Sequence, residues 1–217
     1  QPLPFVWKSA QFGYDGKGQF RINNNSNLFE IWEKLGAVEC VLEELLDFKR
    51  EISIMYFKST DNTDGFFPLS ENFHENGILK KTIAPAILND AIKDELKLKT
   101  KKLSENLNFY GIIAIELFEL VDGRIIFNEI APRPHNSFHW TLDGCENSQF
   151  DILIRTICGL PVKDVKCNTK WEMKNIIGDD ANNLNEIYSN QNYLLNLYGK
   201  KNIKAGRKMG HYNRQII

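Results

Sequence analysis

Two glutamates near the middle of the chain have the type and spacing to hold a hard cation. In YGIIAIELFELVDGRIIFNEIAPR (110–133), two β-branched runs flank Asp122-Gly123, a strong short hairpin signal. A two-residue turn there sets Val121 opposite Arg124. Counting outward places Leu120 opposite Ile125, Phe118 opposite Phe127, and Glu116 opposite Glu129. The two acids then share one sheet face with Ala114, Phe118, Phe127 and Ile125, all apolar. Directly opposed carboxylates, roughly 5 Å apart, repel each other and lose solvation. A shared proton, a nearby Arg or Lys, or a divalent cation would relieve this. Mg²⁺ does so best, because it takes carboxylate oxygens and bridges to phosphates. An exposed face with both acids solvated is the alternative. Asn128 can add one more oxygen to a metal or phosphate.

A second chemistry-bearing stretch lies near the start. Gly13, Tyr14, Asp15, Gly16, Lys17, Gly18 and Gln19 form a loop whose backbone N–H groups could approach phosphate oxygens closely. It lacks the Ser or Thr of GxxxxGK[ST] and does not open a helix as a dinucleotide fingerprint does. By itself it also fits an ordinary flexible hairpin. Lys8, inside an apolar strand just before the loop, is placed to neutralise a phosphate. Snorkelling to solvent is its plain alternative.

The elements that must position these residues are an opening strand, PFVWKS (4–9), and a short helix over LFEIWEKLG, capped by Asn24 or Ser26 and closed by Gly36. The strands AVECVLEE and REISIMYF follow, then shorter strands up to Pro85. A long helix is expected over AILNDAIKDELKLKTKKLSENL and another over SQFDILIRTICGLP. The tail gives two or three strands and a short helix over NNLNEIYSN. Mixed strands with irregularly spaced helices predict an α+β fold.

Composition narrows the function classes. The 217 residues carry a net charge of −1, with 42% hydrophobic and 25% charged residues, ordinary for a globular protein. Nothing basic invites nucleic acid, and no apolar run approaches the roughly 20 residues that span a membrane. Cys40, Cys145, Cys158 and Cys167 contain no CxxC pair and read as reduced thiols of a cytoplasmic protein. His135 and His139 are four apart, but Pro134 and neighbouring turn residues argue against a helix presenting both to zinc. Beginning at Gln1-Pro2 with no initiator Met, the chain reads as a fragment.

Together, Lys8, GYDGKGQ (13–19), EELLDFKREIS (43–53), NEIAPRPHNS (128–137), HWTLDGC (139–145), SQFD (148–151) and RKMGH (207–211) resemble the 5-(carboxyamino)imidazole ribonucleotide synthetase (PurK) family of ATP-grasp ligases. The resemblance implies an ATP-grasp core of two lobes around a nucleotide cleft. The expected division is a partial small lobe over 1–45, a large lobe with the metal site over 46–165, and a small β-rich C-terminal segment over 166–217.

It further implies that Lys8 and the loop 13–19 cover the ATP phosphates. Glu43, Glu44, Leu45 and Leu46 would read adenine, Glu51 would hold the ribose hydroxyls, and His74, Asn128 and Glu129 would line the nucleotide site. Glu116 and Glu129 match magnesium ligands. Arg133 and His135 would lie by bicarbonate, Asp15 by the substrate amine, and Asn136, Arg207 and Lys208 by the ribonucleotide. The implied activity is ATP-dependent carboxylation of aminoimidazole ribonucleotide by bicarbonate, through carboxyphosphate, in purine biosynthesis. ATP and Mg²⁺ are the implied cofactors, and a homodimer is compatible with the family.

Another ATP-grasp ligase, such as one activating formate, and a non-catalytic Mg-ATP-binding fragment are the rival readings. Without the resemblance, Arg133 is an ordinary structural ion-pair residue, His135 a core histidine, Glu51 an edge position and Asp15 a turn residue. Two departures stand out. Phe138 occupies a position where the family has Gly, predicting strain if φ is positive there, or a narrowed pocket. Family members also carry a domain before Lys8 and sequence after RKMGH, so this chain is expected to bind Mg-ATP while catalysing little carboxylation.

Overall fold

The computed structural model describes residues 4–11, 18–167 and 169–216, arranged as two compact units. The first unit comprises Gln1–Phe48 with His74–Ile78. In it β1 (Phe5–Ser9), β2 (Gln19–Ile22) and β3 (Cys40–Glu44) form an antiparallel sheet in the order β2-β1-β3. Helix α1 (Leu28–Lys34) is capped by Asn27, whose side chain accepts the Glu30 N–H, rather than by Asn24 or Ser26. Ser26 is spent one turn earlier, its hydroxyl donating to Asn23 Oδ1 and accepting the Asn23 N–H. Gly36 follows the helix at φ 88°, a left-handed stop that a side chain would strain.

The second unit is built on a larger sheet of β4 (Phe48–Lys58), β5 (Asp64–Phe66), β6 (Ser70–Glu75), β7 (Ile78–Ala84), β8 (Gly111–Leu120), β9 (Ile125–Ala131), β10 (Lys170–Ile177), β11 (Leu194–Leu197) and β12 (Lys208–Ile216). Its order is β11-β12-β10-β7-β6-β4-β8-β9, with β5 paired to β4. The strands after residue 166 are therefore hydrogen-bonded into this same sheet, through the antiparallel pair β10–β7.

Both faces of the sheet are covered, which explains the unbroken apolar run GIIAI in β8. On one face Ile52, Ile54, Ile113, Ile115 and Leu117 pack with Leu96 of α2 (Asp90–Asn106). This helix starts later than the sequence suggests. Asn89 caps it, and the Ala86 N–H is used by Leu69 O at 2.7 Å. On the other face Met55, Phe57, Ile112 and Ala114 pack with Phe138, Trp140 and Ile152. Those residues come from the turn after β9, from α3 (Thr141–Gly144) and from α4 (Gln149–Ile157), with α5 (Asn185–Ser189) further on in the tail.

Two expectations change. Cys145 and Cys167 are joined as a disulfide, their Cα atoms 4.4 Å apart, while Cys40 and Cys158 are free thiols. Close approach in the fold, across 22 residues of sequence, was not visible in the spacing. Phe138 carries no positive φ; it ends a 3₁₀ turn over Asn136–Phe138 and is fully buried, its ring 6.2 Å from that of Phe67. The ring fills core rather than narrowing a pocket.

Candidate active site

The site grows from the β8–β9 hairpin. Alternation along β8 puts Ile112, Ala114 and Glu116 on one face, so the strand that buries two apolar side chains also carries an acid at 8% exposure. Glu116 pairs directly with Glu129, as the sequence suggests. The route to that pairing differs. The Leu120 N–H donates to Arg124 O at 2.9 Å, so the turn has three residues, Val121 to Gly123. Pairing then runs Glu119↔Ile125, Phe118↔Ile126 and Leu117↔Phe127 before a bulge restores Glu116↔Glu129. Asn128 is the extra residue of that bulge. Phe127 consequently pairs with Leu117 and leaves the face of the two acids.

What sits between the acids is an imidazole. His135, 8% exposed, has Nδ1 3.7 Å from Glu116 Oε1 and Nε2 3.9 Å from Glu129 Oε1. Its Nδ1 also lies 2.7 Å from Ser137 Oγ. Glu116, Glu129 and His135 each offer a ligand atom, all within 4.8 Å of one another. Glu51, on the neighbouring strand β4, brings a third carboxylate within the same 4.8 Å of Glu116. Three acidic side chains suit a hard divalent ion, for which oxygen ligands are preferred. Beside them both amide atoms of Asn136 are buried with no protein hydrogen bond, which a polar ligand would remedy.

The remaining sequence-selected residues fall as follows. Arg133 is exposed and donates from Nη1 to Pro134 O at 3.0 Å. Arg207 donates from Nη1 to Asn202 O at 2.9 Å, within its own loop. Lys208 opens β12, and its charge is one of those acting on His139. In the first unit Lys8 forms an ion pair with Glu43 at 2.5 Å, Glu44 ends β3, and the Leu45 N–H donates to Pro4 O, with Leu46 following. Gly18, at φ 75°, and Gln19 lead into β2, while His74 stands on β6. Gly13, Tyr14, Asp15, Gly16 and Lys17 lie outside the described residues.

Sequence reasoning gave no role to a neighbouring group of aromatic and imidazole rings. His139 lies 5.1 Å from His211 and 5.5 Å from Phe150, centroid to centroid, and Tyr198 Oη is 2.7 Å from His211 Nδ1. Burial, then the charges of His211, His135 and Lys208, push the His139 pKa down to about 3, and burial pushes His211 down to about 4. Both rings are neutral near pH 7. The only signal for them in the sequence was their place in HWTLDGC and RKMGH.

Residues 2–150 match the ATP-grasp domain model, and residues 172–214 match the phosphoribosylaminoimidazole carboxylase C-terminal domain model. The N5-carboxyaminoimidazole ribonucleotide synthase of Bacillus subtilis is 40% identical over 96% of this chain and 55% of its own length. A Staphylococcus aureus N5-carboxyaminoimidazole synthetase complexed with ADP superposes at a TM-score of 0.91, with 38% identity, covering 98% of this chain and 57% of that one. An Aspergillus clavatus synthase in complex with ADP and 5-aminoimidazole ribonucleotide gives 0.83 and 32%, over 98% and 57%. The chain thus spans little more than half the length of these relatives. A matching domain model over most of the chain, continuous likeness along it and a shared fold lead to one conclusion: the chain belongs to the ATP-grasp family.

Proposed function

We propose that the chain carries the ATP site of a ligase that activates bicarbonate as carboxyphosphate and passes the carboxyl group to the amine of aminoimidazole ribonucleotide. The observation that carries this is the convergence of Glu116, Glu129 and His135 within 4.8 Å, at the hairpin and the turn that follows it, in an ATP-grasp chain. Glu116 and Glu129 would hold Mg²⁺, with Asn128 supplying an amide oxygen. The bound ion would neutralise phosphate charge during transfer to bicarbonate.

The other assignments follow from chemistry and place. Lys8 would exchange Glu43 for an ATP phosphate, and the segment Glu43 to Leu46 would lie along adenine. Glu51 and His74 would complete the nucleotide contacts. Arg133 and His135 would orient bicarbonate, with the unsatisfied amide of Asn136 as a further donor and acceptor. Arg207 and Lys208 would bind the ribonucleotide, and Asp15 would take the proton from its amine. Positioning is what such a reaction most needs, because the activated carboxylate is short-lived.

Calorimetric titration of residues 1–217 with Mg-ATP is expected to show saturable binding that Glu129→Gln weakens. ADP release with aminoimidazole ribonucleotide should depend on bicarbonate and not on formate. Formate-dependent release would overturn the substrate, and absence of Mg-ATP binding would overturn the nucleotide site itself.

A further inference from the structure

The turn that carries His135 is held from behind by one side chain. Gln149, the first residue of α4, is fully buried. Its Oε1 accepts the His135 N–H at 2.8 Å, and its Nε2 donates to His135 O at 3.0 Å. The same Nε2 lies 2.8 Å from His139 Nδ1. These contacts fix the amide's orientation, because a flipped carboxamide would set N–H against N–H on one side and oxygen against oxygen on the other. Both Nε2 hydrogens are then used, and His139 Nδ1 must be the acceptor, with its proton on Nε2.

The clamp is itself anchored. Ser148 and Asp151 form a reciprocal cap at the start of α4, with the Ser148 hydroxyl donating to Asp151 Oδ2 at 2.6 Å and accepting the Asp151 N–H at 3.2 Å. The Gln149 N–H donates to Thr141 Oγ1 at 3.0 Å, and the Thr141 hydroxyl donates to Phe138 O at 2.6 Å. The helix end thereby grips His135, Phe138 and His139 together. The His135 ring is joined to the clamped backbone through Cβ alone, and lies 3.7 and 3.9 Å from the two acids.

We propose that Gln149 is a positioning residue for the carboxylate-activating site, fixing the backbone that aims His135 at Glu116 and Glu129 and setting the tautomer of His139. This rests on the function proposed above. Gln149 touches no reacting atom; it acts through the two histidines. A glutamine that merely satisfied buried backbone groups would contribute to stability and leave turnover per folded molecule unchanged.

The test uses Gln149→Met, similar in length but without hydrogen bonds, and Gln149→Glu, which keeps the acceptor for the His135 N–H but opposes oxygen to His135 O and His139 Nδ1. Both are made in the full chain and checked by thermal melting, so that either one suffices if the other does not fold. Expected for Gln149→Met is a bicarbonate-dependent kcat about 10–100-fold lower, the size of effect a misplacement near 1 Å produces, with the KM for ATP within about twofold of wild type. Amide exchange over 133–139 is expected to quicken. An unchanged kcat per folded molecule, or a parallel loss of ATP affinity, would overturn the proposal. If the wild-type chain shows no bicarbonate-dependent ADP release, the proposed reaction fails instead. Exchange alone then decides the positioning role: faster exchange at His135 supports it, and unchanged exchange refutes it.

Discussion

Glu116 and Glu119 sit three residues apart on β8, both 8% exposed, in surroundings of opposite character. Around Glu119 the fold has gathered permanent cations. Arg50 Nε is 2.5 Å from one carboxylate oxygen and Lys49 Nζ 3.3 Å from the other, while Arg50 also reaches Glu71 at 3.0 Å and Ile87 O at 2.7 Å. Around Glu116 it has gathered Glu129, Glu51 and one imidazole. The first arrangement supplies its own counter-charge. The second brings two further carboxylates and a histidine ring within 4.8 Å of Glu116. Burial of an acid says little by itself; the company separates a carboxylate held by fixed cations from one grouped with further acids.

The sharpest break between the two would come from neutralising each. Glu116→Gln is expected to lower Mg-ATP-dependent turnover on the order of 100-fold or more, the scale of losing one preorganised charge at a reacting phosphate. Its melting temperature should be equal or higher, because a like-charge contact has been removed. A large loss of stability with normal turnover would erase the distinction.

Arg50→Ala should do the reverse. It leaves Glu119 buried with only the exposed Lys49, costing about 2 kcal/mol in a urea melt after allowance for partial solvent access. Mg-ATP affinity of the folded protein should stay within about twofold of wild type. The comparison fails if stability is unchanged.

A smaller effect concerns acid. Burial tends to raise the Glu119 pKa, but the bonds from Arg50 and Lys49 outweigh it and hold the folded value below the ordinary one. The stabilisation is therefore complete above the unfolded carboxylate pKa of about 4.3 and is lost as pH falls through the lower folded value. Melts of wild type and Arg50→Ala should differ at pH 7 and converge towards pH 3. A constant difference across that range would mean that Arg50 stabilises by packing rather than by charge.

How far the site was legible from sequence is seen best in the hairpin. Counting from a two-residue turn reached Glu116 opposite Glu129, but through two departures that cancel. The real turn holds one residue more, and Asn128 bulges out to restore the register. Alternation and Asp122-Gly123 announce a hairpin, whereas the length of a turn and the place of a bulge depend on packing against the rest of the sheet. His135 was picked out by its motif, but its place between the acids was not visible, because the turn that carries it is hydrogen-bonded to Gln149, fourteen residues on. Phe138 was misjudged because a family Gly need not mark positive φ. The Cys145–Cys167 bond was invisible for want of any spacing rule in a chain of this class.

The bulge also has a meaning for comparisons among relatives. Removing Asn128 would let Glu129 follow Phe127 directly and still fall opposite Glu116, on the same face, since Leu117↔Phe127 already sets the next pair. The residue is thus an insertion that the pairing tolerates without requiring. A sequence lacking it would align with a single gap at that point and keep both acids in place. Such a gap would change only the amide beside them, separating by natural deletion the opposition of the two charges from the side chain that the bulge adds.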